Sequence, residues 1–233
     1  MLVIALCKGR YLEPSLSMLS RANIRFPEDV AQSRKLIFDS DDKRFRAVLV
    51  KPADVPTYVE YGAADIGIAG RDVIMESRAD LLQPLDLGFG YCKLVVAGSK
   101  ETRAEARAYE QAGTSEPNVV AGFGPRSDSP TIRVATKYPR ITLDYYNRRG
   151  IPVEIIALAG SIELAPLIGL ADRIVDLVET GRTLKENGLE IVEVIAESSA
   201  RLLVNRAGYQ TKREEVLALL QTLEKVVQCE SSI

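Results

Sequence analysis

Arg173-Ile174-Val175-Asp176-Leu177-Val178-Glu179-Thr180-Gly181-Arg182-Thr183-Leu184 is the stretch on which the reading of this chain turns. Its apolar first half predicts a buried strand with Asp176 at its carboxyl end, and Leu184-Lys185-Glu186 predicts the start of a helix. Between them lie two threonines, one glycine and one arginine. That order suits a phosphomonoester. Gly181 lets the backbone approach an anion, Thr180 and Thr183 offer hydroxyl donors, and the first amides of the helix point outward unpaired. Asp176 is then placed to take the hydroxyls of an attached ribose or a hydrated Mg2+. The competing reading of the same residues is a strand, a Thr-Gly turn and a capped helix that binds nothing. A P-loop is excluded, because no Gly-x-x-x-x-Gly-Lys-[Ser/Thr] occurs in the chain.

Composition narrows the field further. The chain has 233 residues, 46% hydrophobic and 27% charged, which is enough for two small lobes or one large domain with a core. The net charge of −2 gives no whole-molecule attraction to nucleic acid or to an anionic membrane, so a phosphate site must be built from a few local cations. No apolar run approaches the roughly 18 residues of a membrane span, and Lys8, Gly9 and Arg10 interrupt the N-terminal apolar stretch too early for a signal peptide. A cytoplasmic protein is expected, without membrane or nucleic-acid partners. Cys7, Cys92 and Cys229 have neither metal-type nor Cys-x-x-Cys spacing and read as reduced thiols. There is no histidine, which removes Ser-His and Cys-His nucleophilic machinery and most zinc sites. The chemistry must run on carboxylates, cations, hydroxyls and backbone amides.

Taken in order, Leu2 to Leu6 reads as a strand covered on both faces, and Cys7-Lys8-Gly9-Arg10 as a basic turn before a helix through Leu12, Leu16, Leu19 and Ala22. Such a turn is either a surface loop or a phosphate contact. Ser33 to Phe38 and Phe45 to Val50 predict two strands around a polar turn. From Lys51 to Gly62 a short helix is expected, with Asp54 as its N-cap, Pro56 in its first turn and Gly62 as its terminator. Ala64 to Gly70 predicts another strand, with a helix opening at Arg71. Leu94 to Gly98 is read as the first crossing to a second lobe, and Lys100 to Ser129 as an insertion made of a short helix and a loop. Ile132 to Ala135 and Val153 to Ala157 predict strands, with a turn at Thr136 to Pro139. Ser161 is the expected N-cap of a helix carrying Glu163. Ile191 to Ala196 and Ala200 to Asn205 predict strands that return to the first lobe. Thr211-Lys212-Arg213-Glu214 reads as a capping box, followed by a helix with Val216, Leu219, Leu220, Leu223, Val226 and Val227 on one face.

The block from Gly160-Ser161-Ile162-Glu163 through Pro166 and Gly169 to Asp172, continued by the Asp176 loop, resembles the signature of the ATP phosphoribosyltransferase family. Glu163, Gly169, Ala171, Ile174, Asp176, Thr180, Gly181, Thr183 and Leu184 fill its places. The Lys8-Gly9-Arg10 turn and the order Lys51-x-x-Asp54-apolar-Pro56, Gly62, Asp65-x-Gly67-Ile68-x-Gly70 extend the resemblance over nearly everything from Val3 to Asn205. It implies that Glu163, Asp176, Thr180, Gly181, Arg182 and Thr183 hold the 5′-phosphate and ribose of phosphoribosyl pyrophosphate (PRPP). Lys8, Arg10 and Lys51 are the implied catalytic cations. Gly9, Lys35, Asp54 and Gly70 are the implied ATP or pyrophosphate contacts, with Arg34 beside Lys35 at a position where the family has a basic pair or a single arginine. The implied fold is α/β, a two-lobed type II periplasmic-binding-protein-like fold with a central cleft, lobe I being 1–92 plus 186–233 and lobe II 93–185.

The same resemblance implies the first step of histidine biosynthesis, with ATP and PRPP as substrates and Mg2+ carried by PRPP or pyrophosphate. It looks like the short form of the family, a catalytic chain that forms a homodimer and joins a histidyl-tRNA-synthetase-like regulatory subunit in a hetero-oligomer. Two other readings stand beside it. A cleft-type small-molecule binding or sensor protein would share the fold without needing the Thr-Gly-x-Thr loop, and a Rossmann-like phosphoribosyltransferase would share that loop without the Lys-Gly-Arg and Gly-Ser-x-Glu segments.

Overall fold

The first apolar run forms β1 (Leu2–Cys7), buried at every position except Val3. The computed structural model describes residues 1–27, 30–99 and 131–230, and the insertion expected from Lys100 to Ser129 lies outside them. After the basic turn comes α1 (Leu12–Arg21), whose Leu12, Met18 and Leu19 face inward. Of the strand expected from Ser33, only its end is formed, as β2 (Ile37–Asp39). The Ser33 hydroxyl accepts the Lys35 amide at 3.1 Å, a local turn that competes with a ladder for the backbone. Next, β3 (Phe45–Val50) matches its expected limits and leads into a single 3-10 turn at Pro52–Asp54 and α2 (Val55–Glu60). Asp54 stands at the N-cap position of α2 as expected, but without the capping contact. Pro52 starts the turn early, so Asp54 already has helical backbone and its side chain makes no cap hydrogen bond. Gly62 closes the segment as expected, at φ 72°. The chain then forms β4 (Ile66–Gly70), α3 (Arg71–Ser77) and β5 (Leu82–Asp86).

A second compact unit runs from Cys92 to Glu197. It comprises β6 (Cys92–Gly98), β7 (Ile132–Thr136), α4 (Pro139–Arg148), β8 (Val153–Ala157), α5 (Leu164–Leu167), β9 (Arg173–Val178), α6 (Arg182–Glu186) and β10 (Glu190–Ser198). Its sheet has the order β10-β6-β9-β7-β8, with β7 parallel to β8 and β9, and β6 antiparallel to β9. Alternation along the strands divides the core in two. Val95, Ala97, Ala135 and Ile174 meet Ile162, Ala165, Leu184 and Leu189 in one cluster, while Leu94, Val96, Val134 and Val175 meet Ile141 and Tyr146 of α4 in another. Two expectations fail here. Ser161 does not cap a helix: it sits at φ 50°, its carbonyl accepts the Leu164 amide at 3.2 Å, and α5 begins only at Leu164. Nor does residue 186 mark a return to the first unit, because β10 pairs within the second sheet as its edge strand.

The return is made by β11 (Ala200–Val204), antiparallel to β4 and β5, and it completes a six-stranded sheet of order β2-β3-β1-β4-β11-β5. The first unit is therefore Met1–Tyr91 with Ser198–Ile233. It ends in α7 (Arg206–Thr211) and α8 (Arg213–Glu230). The expected capping box is absent: the Thr211 hydroxyl donates back to the carbonyls of Ala207 and Gly208, both at 3.3 Å, and so closes α7. The cap that does form is Asn205, whose side chain accepts the Gly208 amide at 2.6 Å. The apolar face of α8 is used inside this unit, where Val216, Leu219, Leu220, Leu223 and Val226 are buried in one core with β1, β3, β4 and β11. On α2's side of the sheet, a Cβ on Gly67 would stand 2.7 Å from Val59 Cγ2 and 2.8 Å from Val55 Cγ1, so the bare glycine sets how closely α2 packs on β4.

Candidate functional site

In the first unit, β3, β1 and β4 are adjacent and parallel, and the strands that follow β1 in sequence lie on both sides of it. Strand order thus reverses at β1, and in open α/β sheets such a point opens a crevice at the strands' carboxyl ends. Lys8, Gly9 and Arg10 follow β1, Lys51 and Asp54 follow β3, and Gly70 ends β4, so this one sheet edge collects them all. The Lys8 amide donates to the Val50 carbonyl at 3.0 Å, tying the first two turns together, and the Gly9 carbonyl accepts the Leu12 amide at 3.0 Å. Gly9 has φ 93°, which a side chain would strain. Because β2 runs antiparallel to β3, it begins at the same edge, and the Leu49 amide donates to the Leu36 carbonyl at 2.8 Å. Arg34 and Lys35 immediately precede that contact, and both are exposed, as are Lys8, Arg10, Lys51 and Asp54.

Behind the cations is a buried polar frame that sequence reasoning did not find. Asp72 and Ser198, each 4% exposed, are linked twice: the Ser198 hydroxyl donates to Asp72 Oδ1 at 2.7 Å and accepts the Asp72 amide at 3.0 Å. Beside them, Gly70 has no room for a side chain, since a Cβ there would come within 2.3 Å of Asp72 Oδ1 and 3.0 Å of the Tyr11 hydroxyl. Tyr11, 4% exposed, is the other missed residue; it accepts from Arg10 Nη2 at 2.8 Å and donates to the Gly90 carbonyl at 3.2 Å. Burial pushes the Cys7 thiol up to about 11, with nearby Arg10 pulling weakly the other way, so Cys7 is a neutral core residue under the turn.

The second unit repeats the geometry with different chemistry. Here β7 lies between β8 and β9, and the connections after all three parallel strands emerge at one edge, where the Leu158 amide donates to the Thr136 carbonyl at 3.0 Å. Asp176 lies within β9, two residues before its end, and its Oδ1 accepts the Leu177 amide at 2.8 Å. Thr180, Arg182 and Thr183 are exposed, and Gly181 caps α6 with φ 75°. That helix has only 5 residues, so its dipole is small, and the loop's donors are individual amides and hydroxyls. Arg182 Nε bonds Glu186 at 2.7 Å on the surface. Glu163, half-buried, lies in the connection after β8. Lys137, exposed directly after β7 at this sheet's own switch point, belongs to the same edge and was read only as part of a turn. Arg133 holds the signature block from beneath, with Nη2 to Asp172 Oδ1 at 2.8 Å and Nη1 to the Gly169 carbonyl at 3.1 Å. This pairing holds the Asp172 carboxyl below the usual carboxylate range.

Fold and site together define an α/β protein of two units whose sheet edges collect exposed cations and hydroxyls, with the architecture of periplasmic binding proteins. The aliphatic sulphonate binding protein SsuA from Escherichia coli shows that fold at TM-score 0.52 and 13% identity, over 99% of this chain and 70% of that one. A family model for ATP phosphoribosyltransferase matches residues 51–225. The ATP phosphoribosyltransferase of Syntrophotalea carbinolica is 46% identical over 97% of this chain and 95% of its own length. The ATP phosphoribosyl transferase (HisG:HisZ) complex from Thermotoga maritima superposes at TM-score 0.77 with 36% identity, over 98% of this chain and 99% of that one. The chain belongs to the ATP phosphoribosyltransferase family. It transfers the phosphoribosyl group of PRPP to N1 of the ATP adenine, giving N1-(5-phosphoribosyl)-ATP and pyrophosphate in the first step of histidine biosynthesis. The reading as a binding protein without catalysis is not favoured.

Proposed function

We propose that the two sheet edges divide this transfer between them, the second unit holding the phosphoribosyl group and the first neutralising the departing pyrophosphate. The observation that carries the reading is the collection of Lys8, Arg10 and Lys51 at the carboxyl ends of β1 and β3, at the switch point of the six-stranded sheet. N1 of adenine attacks the anomeric carbon with a lone pair that is already free, the bond from that carbon to the pyrophosphate oxygen breaks, and its electrons leave on pyrophosphate. No general base has to start the reaction. What the protein supplies is position and charge: Lys8, Arg10 and Lys51 meet the negative charge that develops on the leaving group. Thr180, Gly181, Arg182 and Thr183 grip the 5′-phosphate, while Asp176 and Glu163 take the ribose hydroxyls. Gly9, Lys35, Asp54 and Gly70 line the side where ATP and pyrophosphate bind.

Mg2+ enters with the substrate in this reading. Among the described residues no three acidic or thiol groups are gathered to hold a metal ion, and Mg2+ is commonly held by one or two carboxylates with substrate phosphates, a role Asp176 fits. Bound in that way it adds to the neutralisation of pyrophosphate. We further propose a short-form catalytic chain that dimerises and assembles with a histidyl-tRNA-synthetase-like regulatory subunit, supported by the Thermotoga maritima neighbour being a HisG:HisZ complex. No described helix is long and apolar enough to cross a membrane, and we place the enzyme in the cytoplasm, with its two substrates.

The test is an absorbance assay of N1-(5-phosphoribosyl)-ATP formation from ATP, PRPP and Mg2+, run on the lone chain and with the regulatory subunit, across a histidine series. The expected result is slow, histidine-insensitive turnover alone, with rate and histidine inhibition both rising on addition of the subunit. Strong histidine inhibition of the lone chain would overturn the division of regulation between two subunits.

A further inference from the structure

We propose that Tyr11 is a positioning residue that holds the Arg10 guanidinium in place for the leaving pyrophosphate; the inference rests on the role given to Arg10 above. An exposed arginine loses rotamer freedom when it is fixed, and a cation that is already fixed does not have to reorganise during reaction. Tyr11 supplies that fixing in two ways. Its hydroxyl accepts from Arg10 Nη2 at 2.8 Å, and the guanidinium carbon stands 4.7 Å from the centre of its ring, within cation–π range.

Tyr11 is in turn held by parts of the chain far from it in sequence. Its hydroxyl also donates to the Gly90 carbonyl at 3.2 Å. The ring lies where a side chain on Gly90 would be: a Cβ there would come within 2.1 Å of Tyr11 Cε1 and 2.9 Å of Cδ1. Phe89 adds a tilted ring contact at 6.1 Å, and Gly70 leaves room for the hydroxyl. The turn after β1, the end of β4 and the segment after β5 thus meet on one phenol, and Arg10 is the exposed charge that the phenol carries. A tyrosine needed only for packing would not need a hydroxyl engaged on both sides.

Tyr11→Phe separates the two roles, because it keeps the ring against Gly90 and removes both hydrogen bonds. Single-turnover rates at saturating substrates and PRPP affinities by calorimetry are measured for the wild type, Tyr11→Phe, Arg10→Ala and the double variant. Tyr11→Phe is expected to slow the transfer roughly ten- to a hundredfold with little change in PRPP affinity, and to add less than about twofold once Arg10 is alanine. An equal slowing in both backgrounds would show that Tyr11 acts on something other than Arg10 and would overturn the proposal. A wild-type rate in Tyr11→Phe with a slow Arg10→Ala would also overturn it while leaving the role of Arg10 standing. A wild-type rate in Arg10→Ala would remove that role and the proposal together.

Discussion

The two sheet edges assigned to one substrate are constructed in opposite ways. At the edge of the first unit the exposed Arg10 is held by the buried Tyr11, beside a buried Asp72–Ser198 pair that joins segments more than a hundred residues apart, all three being 4% exposed. At the edge of the second unit the loop Thr180 to Thr183 is mostly exposed and owes its form to one left-handed glycine and a helix of 5 residues. The difference matches the work proposed for each. Gripping a ground-state phosphate needs outward amides and hydroxyls, which local backbone conformation supplies. Stabilising charge in a transition state needs cations held still beforehand, which only a frame packed into the core supplies.

The largest expected loss of binding is at Gly181. Gly181→Val places a β-branched side chain at φ 75° and is expected to lower PRPP affinity by on the order of a hundredfold, measured by calorimetry. Gly181→Asn, which tolerates the left-handed region, should lose clearly less. Equal losses would show that space at the loop matters and its backbone conformation does not.

A second contrast concerns stability. Ser198→Ala removes two buried hydrogen bonds, to the Asp72 amide and carboxylate, and urea unfolding should show a loss of about 1–3 kcal/mol. Thr180→Ala, on the exposed loop, should stay within about 0.5 kcal/mol of the wild type. If the two variants unfold alike, the frame is not a frame.

How far each edge can be read from sequence follows the same division. The loop is legible because its signal is local: β9 starts where expected, though it runs two residues past Asp176 to Val178, and the hydroxyl-glycine-arginine cluster follows within a few residues. The frame is not legible, since nothing near Asp72 points to a serine 126 residues later. At Asp54, Ser161 and Thr211 the expected side-chain capping contacts do not form, for one reason. A capping side chain marks where a helix is able to start, but Pro52, the Ser161 turn and the closure of α7 had already committed the backbone differently. Helix α4 is not legible because Ile141, Thr142, Tyr145, Tyr146 and Asn147 are indifferent helix formers that packing organises. β10 is legible as a strand, but its side-chain pattern does not state which sheet it joins.

The smallest expected effect is at the Arg133–Asp172 pair beneath the signature block, where both side chains are over a third exposed. Asp172→Asn should cost well under about 1 kcal/mol at neutral pH. Because Arg133 lowers the folded-state pKa of Asp172, the pair's contribution is present above the ordinary carboxylate range and is lost as pH falls through the lowered folded value. Unfolding curves of variant and wild type should therefore converge in acid, and a difference that persists there would assign the effect to packing.

The division of labour itself is tested most directly by one paired measurement, PRPP affinity and the saturated single-turnover rate in Arg10→Ala and in the Thr180→Ala/Thr183→Ala double variant. Arg10→Ala is predicted to slow the chemical step on the order of a hundred- to a thousandfold while PRPP affinity changes little. The loop variant is predicted to do the reverse, binding PRPP weakly yet turning over near the wild-type rate once saturated. A wild-type single-turnover rate in Arg10→Ala, with weakened PRPP binding in its place, would contradict the account.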